Sequence, residues 1–169
     1  DSTYRAVRAD SFTCASGLYV AASTGSDTGA IAIYDSAKRN EYDYIYVGDY
    51  VIVNGVLIPN GYYLAQGSVV PTAAVNASSY VYYSSGKLTM SNFTYSGESA
   101  AIQAPGDLEV ILGGVNNLTA TNDNGIYIAG DLTITGPGSL EVSGTRNGVC
   151  ADQFVQKSGK FTAISKNTD

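Results

Sequence analysis

One pattern written twice constrains this chain more than anything else in it. The first copy runs Gly125-Ile126-Tyr127-Ile128-Ala129-Gly130-Asp131-Leu132, then a Thr-rich alternation, a Gly-Pro-Gly turn and Leu140-Glu141-Val142. The second runs Gly148-Val149-Cys150-Ala151-Asp152-Gln153-Phe154, then Ser158-Gly159 and Phe161-Thr162-Ala163. Each is a short apolar alternation, an Asp at a corner, a second alternation, a glycine turn and a third alternation. At roughly 23 residues the unit has the length of one coil of a parallel β-solenoid. Residues 100–110 carry it again upstream, and Gly29-Ala30-Ile31-Ala32-Ile33-Tyr34-Asp35 carries its opening.

A second echo links the two ends of the chain. Laying positions 3–27 over positions 145–169 places Thr3, Val7, Ala9, Asp10, Phe12, Ser16, Gly17, Ala21, Ser23 and Asp27 on identical residues at Thr145, Val149, Ala151, Asp152, Phe154, Ser158, Gly159, Ala163, Ser165 and Asp169. Ten identities in 25 positions, the aromatic pair and the Ser-Gly turn among them, exceed what shared composition supplies.

In such a coil alternate side chains point inward and stack on the next coil about 4.8 Å away. The inward set is then Ile102, Leu108, Val110, Ile126, Ile128, Leu132, Ile134, Leu140, Val142, Val149 and Phe154. Organisation follows. Residues 1–40 read as two solenoid coils, either the end of a preceding module or the complement of the C-terminal coil. Residues 41–96 read as a β-hairpin cap, with Asn54-Gly55 as a hairpin turn signal and Pro59-Asn60-Gly61 as a further turn. Residues 97–169 read as three β-helix coils, the last with an open edge. The expected fold is all-β: a right-handed parallel β-helix with a hairpin cap. The N-terminal coils have the phase to follow the C-terminal ones, as in a tandem array or in head-to-tail stacking into a filament; equally, they are the first coils of one continuous solenoid.

Composition narrows the function. The net charge is −6 with only 9 Lys and Arg, which argues against nucleic acid and anionic membrane surfaces, since both require clustered cations. No apolar run approaches the roughly 18 residues of a membrane span. The start at Asp1 suggests a processed chain or an excised piece. Low Lys with abundant Thr, Ser, Tyr and Asn suits an extracellular or cell-surface setting. Cys14 and Cys150 fall at different positions of the repeat, so their pairing cannot be assumed. There is no His, and zinc would want more than two cysteines.

The corner aspartates Asp10, Asp35, Asp107, Asp131 and Asp152 recur at one place in the unit. Stacked carboxylates there could hold Ca²⁺, which takes six to eight oxygens; Asp at a tight corner is also ordinary turn chemistry. Asp107, Asp131 and Asp152 are the metal candidates, with Asp123 in the oxygen-rich Asn122-Asp123-Asn124 stretch; beyond calcium no cofactor is expected. A polysaccharide lyase or hydrolase would need paired carboxylates or acids with a basic partner. Here Arg5, Arg8, Arg39 and Arg146 are scattered, so the chain reads as non-enzymatic. Tyrosine is the unusual residue, 14 copies with no Trp. Tyr42, Tyr44 and Tyr46 share a strand face, and Tyr62, Tyr63, Tyr80, Tyr82 and Tyr83 could extend it into an aromatic surface for stacking sugar rings. Cross-strand packing within the cap would use the same residues.

The motifs Val53-Asn54-Gly55-Val56, Gly61-Tyr62-Tyr63-Leu64, Tyr82-Tyr83-Ser84-Ser85-Gly86-Lys87-Leu88-Thr89 and Gly130-Asp131-Leu132-Thr133-Ile134-Thr135-Gly136 resemble the clostridial carbohydrate-binding-domain family of parallel β-helices, over about residues 45–169. The resemblance implies an extracellular location, binding to polysaccharides such as cellulose or pectic acid, and in some members calcium. Two functions from different classes are therefore expected: a polysaccharide-binding surface module, or a structural subunit that assembles head to tail through its open solenoid ends.

Overall fold

The computed structural model describes residues 14–23, 32–35 and 44–166. Tyr42, Asp10, Gly29 and most of the N-terminal echo lie outside these residues. Among the described residues the chain is all β, with no helix. It opens with β1 (Tyr19–Ser23), β2 (Ala32–Ile33), β3 (Tyr44–Gly48), β4 (Tyr50–Val53), β5 (Val56–Pro59), β6 (Tyr62–Ala65) and β7 (Tyr80–Ser84). Next come β8 (Lys87–Ser91) and β9 (Thr94–Gly97). Three successive triplets complete it: β10 (Ile102–Ala104), β11 (Leu108–Gly113), β12 (Val115–Ala120); β13 (Ile126–Ile128), β14 (Leu132–Thr135), β15 (Ser139–Gly144); β16 (Val149–Cys150), β17 (Phe154–Gln156), β18 (Lys160–Ser165).

The triplets are the coils of a parallel β-solenoid of about three turns. On the first wall Ile102 pairs with Ile126 and Ile126 with Val149, each step advancing the chain by one coil. The second wall steps from Leu108 to Leu132 to Phe154, and the third from Leu140 to Phe161. Inward positions are filled as the alternation requires: Ile102, Leu108, Val110, Ile126, Ile128, Leu132, Ile134, Leu140 and Val142 are all buried in one cluster. Val149 only packs against that cluster, and Phe154 is 45% exposed, because among the described residues no coil covers theirs.

The N-terminal end is closed by antiparallel pairing. β4 lies antiparallel to β10 and turns into β5 through Asn54 (φ 55°) and Gly55 (φ 70°). Both central residues have positive φ, the type I′ geometry that Asn-Gly favours because its twist matches the strands. β6 and β7 extend the second wall beyond β8. At the third wall β9 is the edge, and the Gln66 side chain substitutes for a strand there: its Nε2 donates to the Thr94 carbonyl (2.6 Å) while its Oε1 accepts from the Thr94 N–H (2.7 Å).

Two boundaries differ from the sequence expectation. β8 and β9, assigned to the cap, already run parallel to β11 and β12, so the solenoid begins inside residues 41–96. In residues 1–40, β1 and β2 are antiparallel to each other, and β1 is antiparallel to β3. The connection from β1 to its neighbour β2 is shorter than the dozen or so positions that a parallel crossover requires. Alternation at Tyr19–Ser23 specifies which side chains face inward; it does not specify strand direction.

Candidate functional site

The tyrosines do not form one surface. On β7 the alternation turns Val81 and Tyr83 inward, where both are buried, and leaves Tyr80 and Tyr82 on the outer face. Tyr63 of β6 stands between them, its ring 4.2 Å from that of Tyr82 and 5.6 Å, edge-on, from that of Tyr80. Tyr62 pairs with Tyr83 and so belongs to the inner side, but at a sheet edge it is 39% exposed. The Tyr83 hydroxyl donates to Asp49 Oδ1. Burial first, then that acceptor and its charge, push the Tyr83 phenol well above its ordinary range.

Tyr44 and Tyr46 have a third role: with Tyr19 they pack on a small separate core of Ala21, Tyr50, Ile52 and Leu57. The Tyr46 and Tyr50 rings meet edge-on at 5.8 Å. Tyr50, which the sequence alone does not single out, is buried and donates to the Val20 carbonyl at 2.9 Å, tying β4 to β1. Burial pushes its phenol upward, and that of Tyr46 likewise.

The outward trio of Tyr63, Tyr80 and Tyr82 stands at the capped end of the second wall. Along the register Tyr63 continues to Tyr82, Thr89, Ile111 and Thr135. Beside that row lies the Lys87–Glu109 ion pair (3.1 Å), whose ammonium holds the Glu109 carboxyl below its usual range.

Asp107 and Asp131 stack at the corner between the first and second walls, with Asp152 one coil further. Asp107 Oδ1 accepts the Asp131 N–H (2.9 Å), and the Asp152 N–H donates to the Gly130 carbonyl (2.9 Å). These bonds satisfy corner backbone groups that the walls cannot reach. Asp123 is elsewhere, between β12 and β13, where its Oδ1 accepts the Asn124 N–H (2.8 Å). The structure thus places the first three candidates on successive coils of one corner and leaves Asp123 apart. Among the described residues no three His, Cys, Asp or Glu side chains are grouped to hold a metal ion.

The remaining candidate is the last coil. β16, β17 and β18 are each the terminal strand of a wall. Phe154 stacks on Leu132, which is fully buried, and Phe161 on Leu140; the two phenyl rings lie 4.9 Å apart. Core-type side chains therefore form an exposed floor. Its outer rim is apolar too, with Val155 and Ile164 exposed. Cys150 pairs with the outward Tyr127 on the last coil, and both cysteines are free, partly exposed thiols.

No family model, no curated protein and no solved structure matches the chain.

Proposed function

We propose that this chain is a non-catalytic structural module that joins further copies end to end, building a longer β-solenoid outside the cell or on its surface. The observation that carries the reading is the floor of the last coil, where Phe154 and Phe161 sit at inward positions with no described strand above them. An exposed row of strand edges over an apolar floor is a template for further pairing. The echo between the two ends names the partner, because positions 3–27 repeat positions 145–169, the pattern left by copies laid head to tail. A heterologous contact of this kind generates an open array instead of a closed ring. The test is negative-stain electron microscopy of the untagged protein over a concentration series. Regular fibres with an axial repeat of one subunit are expected; short rods at every concentration would sink the reading.

A second reading, polysaccharide binding, is favoured by the outward rings of Tyr63, Tyr80 and Tyr82, which offer apolar faces beside hydroxyls. Tyr83, Tyr44 and Tyr46 take no part in it, being engaged in packing. Pull-down on cellulose and pectic acid, with and without a calcium chelator, tests it. Retention that survives Tyr63→Ala and Tyr82→Ala would remove the trio from the account.

A further inference from the structure

We propose that copies join by strand exchange, with β18 of one copy replacing β1 of the next and pairing antiparallel with that copy's β3. The inference rests on the end-to-end reading and adds the strand, the edge and the register.

The alignment of the two chain ends lays β1 (Tyr19-Val20-Ala21-Ala22-Ser23) on Phe161-Thr162-Ala163-Ile164-Ser165 of β18. Likeness is confined to one face. Tyr19, Ala21 and Ser23 match Phe161, Ala163 and Ser165 as aromatic, Ala and Ser; Val20 and Ala22 are replaced by Thr162 and Ile164. In β1 the matched face is the one that meets the cap: Ala21 pairs with Tyr46, Ser23 with Tyr44, and Tyr19 and Ala21 belong to the core around Tyr50. In β18 the same face is the inward one, with Phe161 stacked on Leu140.

Backbone parity agrees. Along a strand, alternate residues direct N–H and C=O to opposite edges. In β18 the N–H of Lys160 bonds Gly138 and that of Lys166 bonds Gly144, so even-numbered residues point to β15 while Phe161 and Ala163 point to the opposite edge, which no described strand occupies. In β1 the Val20 carbonyl accepts the Tyr34 N–H, so even-numbered residues point to the β2 side and Tyr19, Ala21 and Ser23 point to β3. Tyr19 and Phe161 are both odd-numbered, so the alignment preserves parity. The edge of β1 that holds β3 is therefore the edge of β18 that no described strand occupies. In the separate chain β1 occupies the place that a neighbour's β18 fits, and exchange additionally covers the Phe154–Phe161 floor.

The register predicts its own test. Val20 faces Val47 in β1–β3, so Thr162 faces Val47 of the next copy. Because Val20 bonds away from β3, this is a non-hydrogen-bonded pair, with Cα atoms about 4.5 Å apart and within disulfide reach. Val47 is 48% exposed, and Val20 is on the face of β1 opposite the Ala21 core. In the full chain carrying Cys14→Ser and Cys150→Ser, Thr162→Cys with Val47→Cys is expected to give a ladder of oxidised oligomers. Lys160→Cys with Val47→Cys, two positions out of register at about 8 Å, is expected to give none. Val20→Cys with Val47→Cys in the same background locks β1 onto β3; oxidation should abolish fibres and reduction restore them.

Fibres without the in-register ladder, a stronger ladder from the out-of-register pair, or fibres that persist when β1 is locked would each overturn strand exchange and leave end-to-end joining standing. Absence of both fibres and ladder overturns both.

Discussion

Asn116 is the residue whose removal the solenoid should tolerate least. It occupies an inward position of β12, only 1% exposed, where the next coil places Leu140. Its side chain bridges three levels of the stack. Oδ1 accepts the N–H of Phe93 in the level before (2.9 Å); Nδ2 donates to the Gly113 carbonyl at its own corner (3.1 Å) and to the Ser139 carbonyl in the level after (3.0 Å). In Asn116→Ala the Gly113 carbonyl keeps a donor, the Asn92 N–H at 3.3 Å. The Phe93 N–H loses this acceptor in a buried place, and the two carbonyls each lose a bond. Leaving a buried polar group unpaired costs about 1–3 kcal/mol, and each of the two further bonds contributes about 0.5–1.5 kcal/mol. The loss is then about 2–6 kcal/mol, centred near 4. Gln66→Ala is the matched comparison, because it also removes side-chain bonds to backbone, but at an exposed edge where water takes over; it should cost no more than about 1.5 kcal/mol. Urea unfolding followed by circular dichroism measures both, with an unchanged m value showing that the comparison is fair. An Asn116→Ala loss under about 1 kcal/mol, or a Gln66→Ala loss as large as that of Asn116→Ala, would refute the argument that satisfaction of corner backbone groups holds the coils together.

Gly136→Ala is expected to cost about 3 kcal/mol or more, since φ is +93° and a Cβ would lie 2.4 Å from the Leu112 carbonyl oxygen and 2.6 Å from its nitrogen. Gly17→Ala, also at positive φ (+78°) but with nothing within 4 Å, should cost only about 1–2 kcal/mol; equal melting temperatures for the two variants would contradict this. Alkaline pH should weaken the cap. Tyr50 and Tyr83 have phenols raised by burial, so the folded state retains two protons that the unfolded chain releases. Their contribution is complete below the ordinary tyrosine value near 10 and declines as pH rises above it, by at most about 1.4 kcal/mol per pH unit for each group. Phenolate absorbance recorded alongside circular dichroism checks it: the last two tyrosines to ionise should do so together with loss of structure, and their full ionisation in a folded chain would count against the assignment.

Much of the coil architecture was legible because its signal is local and repeated. Period-2 alternation marks inward residues without knowledge of the neighbours, and the coil-length spacing of partners such as Ile102 and Ile126, or Leu140 and Phe161, is visible once two copies are aligned. Tyrosine roles were not legible, for a physical reason. Tyr82 and Tyr83 are adjacent and chemically identical, yet one faces outward and the other is buried against Asp49, and only strand pairing decides which. Tyr44 and Tyr46 were hidden differently. The core they pack on includes Tyr19 and Ala21, which belong to a separate stretch of the chain, and no periodicity links the two segments. The structural role of Asn116 was not legible because a polar residue at an inward position reads as an interruption of the pattern, whereas here it completes the corner.

Direction, the other thing alternation leaves out, decides how the two ends of such a module behave. A parallel coil end presents edges that the next coil of the same sense can occupy, so a floor such as β16–β18 invites continuation. The opposite end is terminated on two walls by strands of reversed sense, β4 against β10 and β7 against β8, and the separate sheet beside it pairs β3 antiparallel with β1. Because β3 runs antiparallel to β1, and β1 carries the inward face of β18, the proposed exchange lets the cap of one copy receive the last coil of another by ending its parallel stack, not by extending it. Such an array is segmented: each parallel stack is bounded by an antiparallel junction, and the junction recurs once per copy. It also limits slippage, since a shift of the incoming strand by one position would turn Phe161 and Ala163 away from Tyr46 and Tyr50 and place Thr162 and Ile164 against them. The aromatic, Ala, Ser pattern on one face is common to β1 and β18, as expected of a strand whose register matters, while on the other face Ile164 stands against the buried Ala22.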